Sequence, residues 1–262
     1  MSPPTVRTYE DSAVVVAGAS SGVGLASSLG FIDAGVTRIA MLSRSPERGI
    51  DARDTVRARN PKATVEFIPA DLNHPDQVAE AVESAHRKLG AIDVMVSSVA
   101  ASYRPELLHM VDPAEFAAIV NGQALPPMYL TRAVLPIMSE QGGGSIVNIA
   151  SDAAKVPTPG ESVLGAAMAA IVMFSRTAAM EAKRNGIRVN AVTPSLISGT
   201  ATAERVLSDG FSKSLFEKAA RMAHLGVAEP DDLAELVVFL GGPASARLTG
   251  QAISVNGGIS AG

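Results

Sequence analysis

Cysteine and tryptophan are both absent from this chain of 262 residues. Without cysteine the protein has no disulfide, no thiolate metal ligand and no cysteine nucleophile, which is typical of a protein kept in a reducing compartment. Charge is also scarce, because charged residues make up 18% of the chain and the net charge is −4. Nucleic-acid-binding domains carry clustered lysine and arginine instead. We therefore expect no nucleic-acid partner.

Long apolar runs are missing as well. The longest, residues 166–174, is far shorter than the roughly 20 residues of a membrane-spanning helix. Residues 1–11 form a polar tail without the apolar segment of a signal peptide. No spacing of histidine and carboxylate residues is typical of metal ligands. The sequence therefore predicts a cytoplasmic protein with no membrane partner and no metal.

Short apolar runs rich in β-branched residues alternate with helical patterns along the chain. Runs such as Ala13–Ala17 and Ile187–Val192 are typical of fully buried strands. Strands that alternate with helices predict an α/β fold with a parallel sheet covered by helices on both faces. No shift in composition marks a boundary, so we expect one domain over residues 1–262.

Two long helices are predicted in the second half of the chain, at about Pro113–Ser139 and Glu161–Arg184. Pro126 and Pro127 lie inside the first of them. Since proline has no backbone N–H, a break is predicted in the middle of this helix. A further helical pattern covers residues 200–222.

A glycine-rich turn, AGASSGVG, follows the first predicted strand and opens a helix at residues 17–24. Glycines let a backbone approach a pyrophosphate, and a helix N-terminus supplies N–H donors to it. An ordinary tight turn between a strand and a helix would also show this pattern. The candidate cofactor ligands of the turn are Gly18, Ser20, Ser21, Gly22, Val23 and Gly24.

The end of the second predicted strand indicates which dinucleotide would bind. An acidic residue there would bind the ribose 2′-hydroxyl of NAD(H), but the chain has Ser43 and Arg44, a hydroxyl and a cation suited to a 2′-phosphate. The pattern favours NADP(H) over NAD(H), although a solvated loop position would also explain Arg44. Asp71, after the third strand, is placed to accept from an adenine amino group or to cap the next helix.

Taken together, these residues resemble the short-chain dehydrogenase/reductase family over nearly the whole chain. The glycine-rich turn is similar to the family's TGxxxGxG motif, and GSIVNIAS at residues 144–151 is similar to its serine-bearing strand. The resemblance implies a single-domain Rossmann-type, doubly wound sheet of about seven strands in the order 3-2-1-4-5-6-7. It also implies interconversion of alcohols and carbonyls with NAD(P)(H), and cofactor contacts from Asp71, Leu72, Ser98, Ala100, Pro194 and Ile197.

The residues expected to perform the chemistry depart from the family's pattern. The family uses asparagine, serine, tyrosine and lysine, and Ser151 matches the serine. The tyrosine and lysine positions hold Leu164 and Met168, and the asparagine position holds Gln123. Leu164 and Met168 supply neither a proton nor a cation. At i and i+4 they predict an apolar pair on one helix face, as packing or pocket-lining residues.

Another group would have to supply the proton. Ser151 is suited to donate a hydrogen bond to a carbonyl oxygen, or to cap local backbone. Tyr103, in the loop after the fourth strand, is a candidate proton donor. The other titratable candidates, each also explained by a surface position, are Lys155, Glu161, His109 and His224.

Three functions therefore remain open. The first is an atypical NADP(H)-dependent oxidoreductase acting on a hydrophobic carbonyl or alcohol, because the lid segment at residues 195–222 is moderately apolar. The second is an inactive subunit, with or without nucleotide, that supports an intact homologue in a hetero-oligomer. The third is an isomerase or lyase. Family members associate through the two long helices, so a homo-oligomer, dimer or tetramer, is the other expected assembly. The nearly intact glycine turn favours the oxidoreductase.

Overall fold

The computed structural model describes residues 6–208 and 210–261. Their strands form one parallel sheet in the order β3-β2-β1-β4-β5-β6-β7. The predicted fold class and strand order are confirmed. The strands are β1 Ala13–Ala17, β2 Arg38–Ser43, β3 Thr64–Pro69, β4 Val94–Ser97, β5 Gly144–Ile149, β6 Ile187–Pro194 and β7 Ala252–Val255.

Helices cover both faces of the sheet. One apolar cluster joins the sheet to α3, α4 and α5, and a second joins it to α1, α2 and α8. Two further helices, α6 and α7, follow β6 and form part of the lid. The bounds are α1 Gly22–Asp33, α2 Pro46–Arg59, α3 Pro75–Leu89, α4 Phe116–Glu140, α5 Ser162–Ala182, α6 Ala201–Val206, α7 Gly210–Met222 and α8 Pro230–Gly241.

Strand β1 shows why the buried runs become central strands. All five of its residues are buried. Val14 and Val16 contribute to the cluster on one face, and Val15 contributes to the cluster on the other. Burying one such side chain is worth roughly 1.5–3 kcal/mol. A strand that is apolar on both sides is therefore stable only between two layers of helices.

The predicted break in the first long helix is wrong. Helix α4 runs without interruption through Pro126 and Pro127, both of which are buried. The prolines remove two N–H donors, but the helical bonds of the flanking residues and the packed apolar face keep the helix in one piece. The helical pattern predicted for residues 200–222 is divided, because α6 ends at Val206 and α7 begins at Gly210.

Three further comparisons concern residues at or near the ends of predicted segments. The polar tail predicted for residues 1–11 lies partly outside the described residues, which begin at residue 6. Position 209 of the lid segment also lies outside them. Helix α3 has His74 at its N-cap, so the proposed capping role of Asp71 is wrong.

By length and composition the segment Ser162–Asn185 resembles a membrane span, but it packs against α4 and β6 as a core helix does.

Shortening a buried side chain at the centre of the sheet should lower the stability of the protein substantially. Ile146 of β5 has no exposed surface, so Ile146→Ala removes buried methylenes and leaves a cavity. We expect the free energy of unfolding to fall by about 2–5 kcal/mol in urea denaturation followed by circular dichroism. The matched control is Ile50→Ala on α2, where the side chain is 42% exposed and little should change. Equal losses in the two variants would contradict the central position of Ile146.

Candidate active site

The glycine turn lies at the carboxyl edge of the sheet, between β1 and α1. Gly18 has φ +78° and Gly22 has φ +53°, in the region that favours glycine. A Cβ on residue 18 would lie 2.2 Å from the carbonyl oxygen of Ser98, and one on Gly24 would lie 2.3 Å from that of Gly18. The turn is therefore packed so closely against the end of β4 that only glycine fits.

The N-terminus of α1 is suited to an anion. Ser21 stands at the N-cap, is exposed, and makes no side-chain bond to the helix within the described residues. The first turn holds no acidic residue, so the positive end of the helix dipole is not neutralised there. Ser20 is half-buried beside it. Val23 packs its side chain against Ala228, which leaves only its backbone for a ligand.

A hydroxyl, a cation and a carboxylate meet beyond the ends of β2 and β3. The Ser43 Oγ is buried and has no hydrogen-bond partner among the described residues. Arg44 is exposed, and its charge acts on Asp71. Burial raises the pKa of Asp71, but hydrogen bonds from Asn73 and the charges of Arg44 and His74 outweigh burial and lower it. Leu72 is buried in the core, which leaves its backbone as the part able to contact a ligand.

These features fit a dinucleotide. The end of β2 that carries Ser43 lies beside the glycine turn, because the Gly18 N–H donates to the carbonyl of the preceding residue, Leu42, at 2.8 Å. A buried hydroxyl without a partner costs free energy that a ligand can recover.

Gln123 holds the loop that follows β4. It is 3% exposed. Its Oε1 accepts from the Ala101 N–H at 3.3 Å, and its Nε2 donates to the Ala101 carbonyl at 3.1 Å. Ser98 and Ala100 lie on this loop, and the Ser98 N–H donates to the Ala17 carbonyl at 2.9 Å. The Gln123 amide is therefore engaged with backbone and fixes the loop.

The segment after β6 borders the glycine turn from the other side. Pro194 ends β6, and Ile197 forms a bridge with Ala228. Thr200, a residue not singled out from the sequence, lies close to the turn: its Cγ2 is 3.7 Å from where a Cβ on Gly22 would be. Its hydroxyl accepts from the Ala203 N–H at 3.1 Å and caps α6. A threonine just before a helical pattern is a capping signal, and it is the sign by which this residue could have been found.

Ser151 follows β5 and combines the two roles considered for it. Its Oγ accepts a hydrogen bond from the Ala153 N–H at 3.2 Å and so caps the short 3-10 turn Asp152–Ala154. A serine hydroxyl keeps its own proton while it accepts. Ser151 can therefore donate to a substrate oxygen without giving up its local bond.

A buried carboxylate ties this turn to the C-terminal strand. The Asp152 Oδ1 accepts from Ser254 at 2.9 Å, and its Oδ2 accepts from Ser260 at 2.7 Å and from the Asn256 side-chain amide. The Lys155 Nζ donates to the Ser254 Oγ at 2.6 Å. Lys155 is therefore part of a structural network rather than a solvated charge.

Leu164 and Met168 form an apolar floor beside Ser151. They are 9% and 8% exposed on α5 and belong to one apolar cluster with Ala150 at the end of β5. Tyr103 packs against the same cluster. We call Ala150, Leu164, Met168 and the ring of Tyr103 the apolar floor.

The Tyr103 hydroxyl is poorly placed to release its proton. It donates to the Gly160 carbonyl at 2.6 Å, which also accepts from the Glu106 N–H at 3.0 Å. Burial, with the nearby carboxylate of Glu161 next in importance, raises the pKa of Tyr103 to about 12. The hydroxyl therefore holds the loop after β4 against Gly160.

Glu161 is buried at the start of α5. It is 9% exposed, and its carbonyl accepts from the Gly165 N–H at 2.6 Å. Its carboxyl group has no hydrogen-bond or ion-pair partner within residues 6–208 and 210–261, and burial raises its pKa to about 7. By contrast, His109 and His224 are exposed. The sequence did not distinguish Glu161 from surface residues, but the structure buries it, and unlike the buried Asp152 its carboxyl group has no hydrogen-bond partner among the described residues.

The stability of the protein should depend on pH through Glu161. Its folded-state pKa of about 7 lies above the ordinary 4.5, so the folded protein holds the proton more tightly than the unfolded chain. The wild type therefore loses stability relative to Glu161→Gln as pH rises from about 4.5 to about 7, by up to about 3 kcal/mol.

Denaturant unfolding of both proteins between about pH 5 and pH 8 measures this difference. Glu106→Gln, which removes an exposed carboxylate from the loop packed against Gly160, is the control for a lost charge. If the difference in the free energy of unfolding between Glu161→Gln and wild type were the same at about pH 5 and about pH 8, it would contradict the raised pKa of Glu161.

Comparison with known proteins agrees with this geometry. A family model described as enoyl-(acyl carrier protein) reductase matches residues 18–260. An uncharacterised oxidoreductase of Mycobacterium tuberculosis is 32% identical over 253 residues, 95% of this chain and 92% of its own length. A 3-oxoacyl-[acyl-carrier-protein] reductase of Thermotoga maritima is 30% identical over 251 residues, 95% of this chain and 98% of its own.

Two solved structures are similar over almost the whole chain. Levodione reductase has a TM-score of 0.89 at 25% identity and covers 96% of this chain and 98% of its own. An NADPH-bound short-chain oxidoreductase of Pseudomonas aeruginosa PAO1 containing an atypical catalytic center has a TM-score of 0.87 at 27% identity, with 98% and 100% covered. With the matched fold, the glycine turn and a family match over residues 18–260, this chain belongs to the short-chain dehydrogenase/reductase family of oxidoreductases.

Proposed function

We propose that this protein is an NADP(H)-dependent oxidoreductase that interconverts a carbonyl and an alcohol on a hydrophobic small molecule, through a non-standard active site. The observation that carries the proposal is the pair at the end of β2. The hydroxyl of Ser43, which has no hydrogen-bond partner among the described residues, and the exposed cation of Arg44 are the kinds of group that would bind a 2′-phosphate at the end of this strand.

The chain's own residues divide the binding of the dinucleotide between them. The turn from Gly18 to Gly24, with the first-turn N–H groups of α1, would hold the pyrophosphate. Asp71 and Leu72 would border the adenine. The remaining candidates would border the nicotinamide side of the crevice. They are Ser98, Ala100, Pro194, Ile197 and Thr200. A bound nicotinamide would supply or accept the hydride.

The residues on the carbonyl side would position the substrate. Ser151 would donate a hydrogen bond to the substrate oxygen, and Gln123 would keep the loop after β4 in place. Leu164 and Met168, standing at the positions where the family has tyrosine and lysine, would present an apolar surface to the substrate. The structure of the Pseudomonas aeruginosa oxidoreductase, which has NADPH bound and contains an atypical catalytic center, supports NADPH binding by a fold of this kind.

The mouth of the cleft supports a hydrophobic substrate. A Cβ on Gly160 would lie 2.7 Å from the Phe211 ring of the lid and 3.4 Å from Pro105 of the loop after β4, so these segments converge there. Large apolar side chains on both are exposed, which is typical of a ligand-binding surface. They are Leu107, Leu108, Met110, Phe211 and Met222.

We propose that the protein works in the cytoplasm as a homo-oligomer, a dimer or a tetramer. Helices α4 and α5 pack together along one side of the sheet. Met173 and Met180 on α5 are 60% and 59% exposed, an apolar surface suited to a second subunit. A hetero-oligomer with an intact homologue would use the same surface.

Titration with NADPH, followed by fluorescence, tests the cofactor. Wild type should bind NADPH more tightly than NADH, and Arg44→Ala should weaken NADPH binding by about tenfold or more while NADH binding changes little, because a charge-assisted bond to phosphate is lost. Arg57→Ala, an exposed arginine on α2, is the matched control and should bind both nucleotides as wild type does.

The result separates the proposed enzyme from the alternatives. Tight NADPH binding with carbonyl reduction supports the oxidoreductase. NADPH binding without turnover of any carbonyl would point to a supporting subunit, an isomerase or a lyase. Absence of any nucleotide binding would overturn the proposal.

A further inference from the structure

A carboxyl group stands at the N-cap of α5, because Glu161 directly precedes this helix and lies three residues before Leu164. Its charge acts on the hydroxyl of Tyr103, whose ring packs against the same apolar cluster as Leu164 and Met168 on α5. That cluster also contains Ala150, the residue before Ser151. A Cβ on Gly165 would lie 2.9 Å from the Ala153 carbonyl, so this turn of α5 sits directly on the turn capped by Ser151.

Glu161 is enclosed rather than exposed to solvent. Its neighbour Gly160 is covered by the Phe211 ring and by Pro105, and its carbonyl is bonded to the Tyr103 hydroxyl and to the Glu106 N–H. The loop after β4 and the lid therefore pack against the start of α5. A glutamate that is only 9% exposed and whose carboxyl group lacks a partner among the described residues is rare in a folded protein unless it has a function.

The other candidate donors have fixed partners. The Tyr103 hydroxyl donates a hydrogen bond to the Gly160 carbonyl, and the Lys155 ammonium donates one to the Ser254 hydroxyl. Ser151 can donate a hydrogen bond but has no base beside it to accept its proton within the described residues. Glu161 alone of these groups is buried, titratable and without a hydrogen bond.

We propose that Glu161 is the proton donor and acceptor of this active site and stands in for the missing tyrosine. The assignment rests on the proposed function, because a proton is needed only where a carbonyl is reduced. A bound nicotinamide would supply the hydride to the carbonyl carbon of the substrate, and the π pair of the C=O bond would move to the oxygen. The O–H bond of Glu161 then breaks and its proton forms the alcohol. The carboxylate regains a proton from water, and the reverse reaction uses it as the base.

The proton affinity of Glu161 suits this role better than that of Tyr103. A general acid is most effective when its pKa lies near the working pH, and burial raises the pKa of Glu161 to about 7. The titratable and charged groups on the elements around it are Tyr103, Arg104 and Glu106 on the loop after β4, Asp152 and Lys155 on the turn beneath α5, and the exposed Lys213, Glu217 and Lys218 on α7.

The first measurement needs no cofactor. Infrared difference spectra between wild type and Glu161→Gln report the carboxyl group directly, and the wild type should show a protonated carboxyl that disappears as pH rises through about 7. Glu106→Gln should retain that signal. A Glu161 carboxyl that is already ionised at about pH 5.5 would overturn the assignment.

The second measurement is NADPH-dependent reduction of a 3-oxoacyl-[acyl-carrier-protein] and of levodione, the substrates named by two relatives. Glu161→Gln should lower kcat on the order of 10²- to 10⁴-fold, with the NADPH dissociation constant unchanged. The wild-type rate should fall above about pH 7, the Glu161→Gln rate should not show this fall, and Glu161→Asp should recover part of the rate. Glu106→Gln should match wild type throughout.

A Glu161→Gln variant that retains the wild-type rate, or a wild type that binds NADPH but reduces neither substrate, would overturn the role of Glu161. A wild type that does not bind NADPH overturns the proposed function and with it the catalytic role. The infrared titration then still shows whether the buried carboxyl holds its proton, so the two failures are distinguishable.

Discussion

The close approach of Gly18 to the Ser98 carbonyl is the contact on which the crevice depends. In the order β3-β2-β1-β4 the connections after β1 and β4 leave the sheet in opposite directions, and a crevice opens between them. A side chain at residue 18 would occupy the space of the Ser98 carbonyl. The turn therefore brings bare backbone and the start of α1 to the one place in the sheet where a long, charged ligand can lie.

The two ends of that crevice differ in chemistry. The end near β2 and β3 carries a buried hydroxyl, an exposed guanidinium and a carboxylate. The end near β5 and α5 is apolar, because Leu164 and Met168 cover the helix face. Glu161 lies at the border of this apolar end, and low polarity around it is what keeps its carboxyl protonated near neutral pH. The raised proton affinity of Glu161 thus follows from its burial at the apolar end.

The parts of the molecule that could be predicted from sequence are those set by local pattern. Buried strands such as β1 and the glycine turn are encoded by runs of neighbouring residues, and their positions agree with the structure. The break expected in α4 was wrong, because the missing N–H groups of Pro126 and Pro127 weigh less than the packing of the helix on the sheet. The burial of Glu161 was not visible either, since its neighbour Gly160 is packed against Phe211 and Pro105, which are distant in sequence. Likewise, the sequence suggested a surface charge for Lys155. In the structure Lys155 donates to Ser254, which is distant in sequence and itself donates to Asp152.

The network around Asp152 has a consequence for the order in which the protein assembles. The nucleotide crevice is built from β1 to β4, which a ribosome completes early. Asp152 bonds to Ser254 across 102 positions, and to Ser260 and Asn256 beyond it. Until those residues emerge, its carboxylate must remain in water, because an unpaired charge is too costly to bury. The turn carrying Ser151, and the α5 turn that rests on it, therefore depend on partners that are synthesised long after the glycine turn.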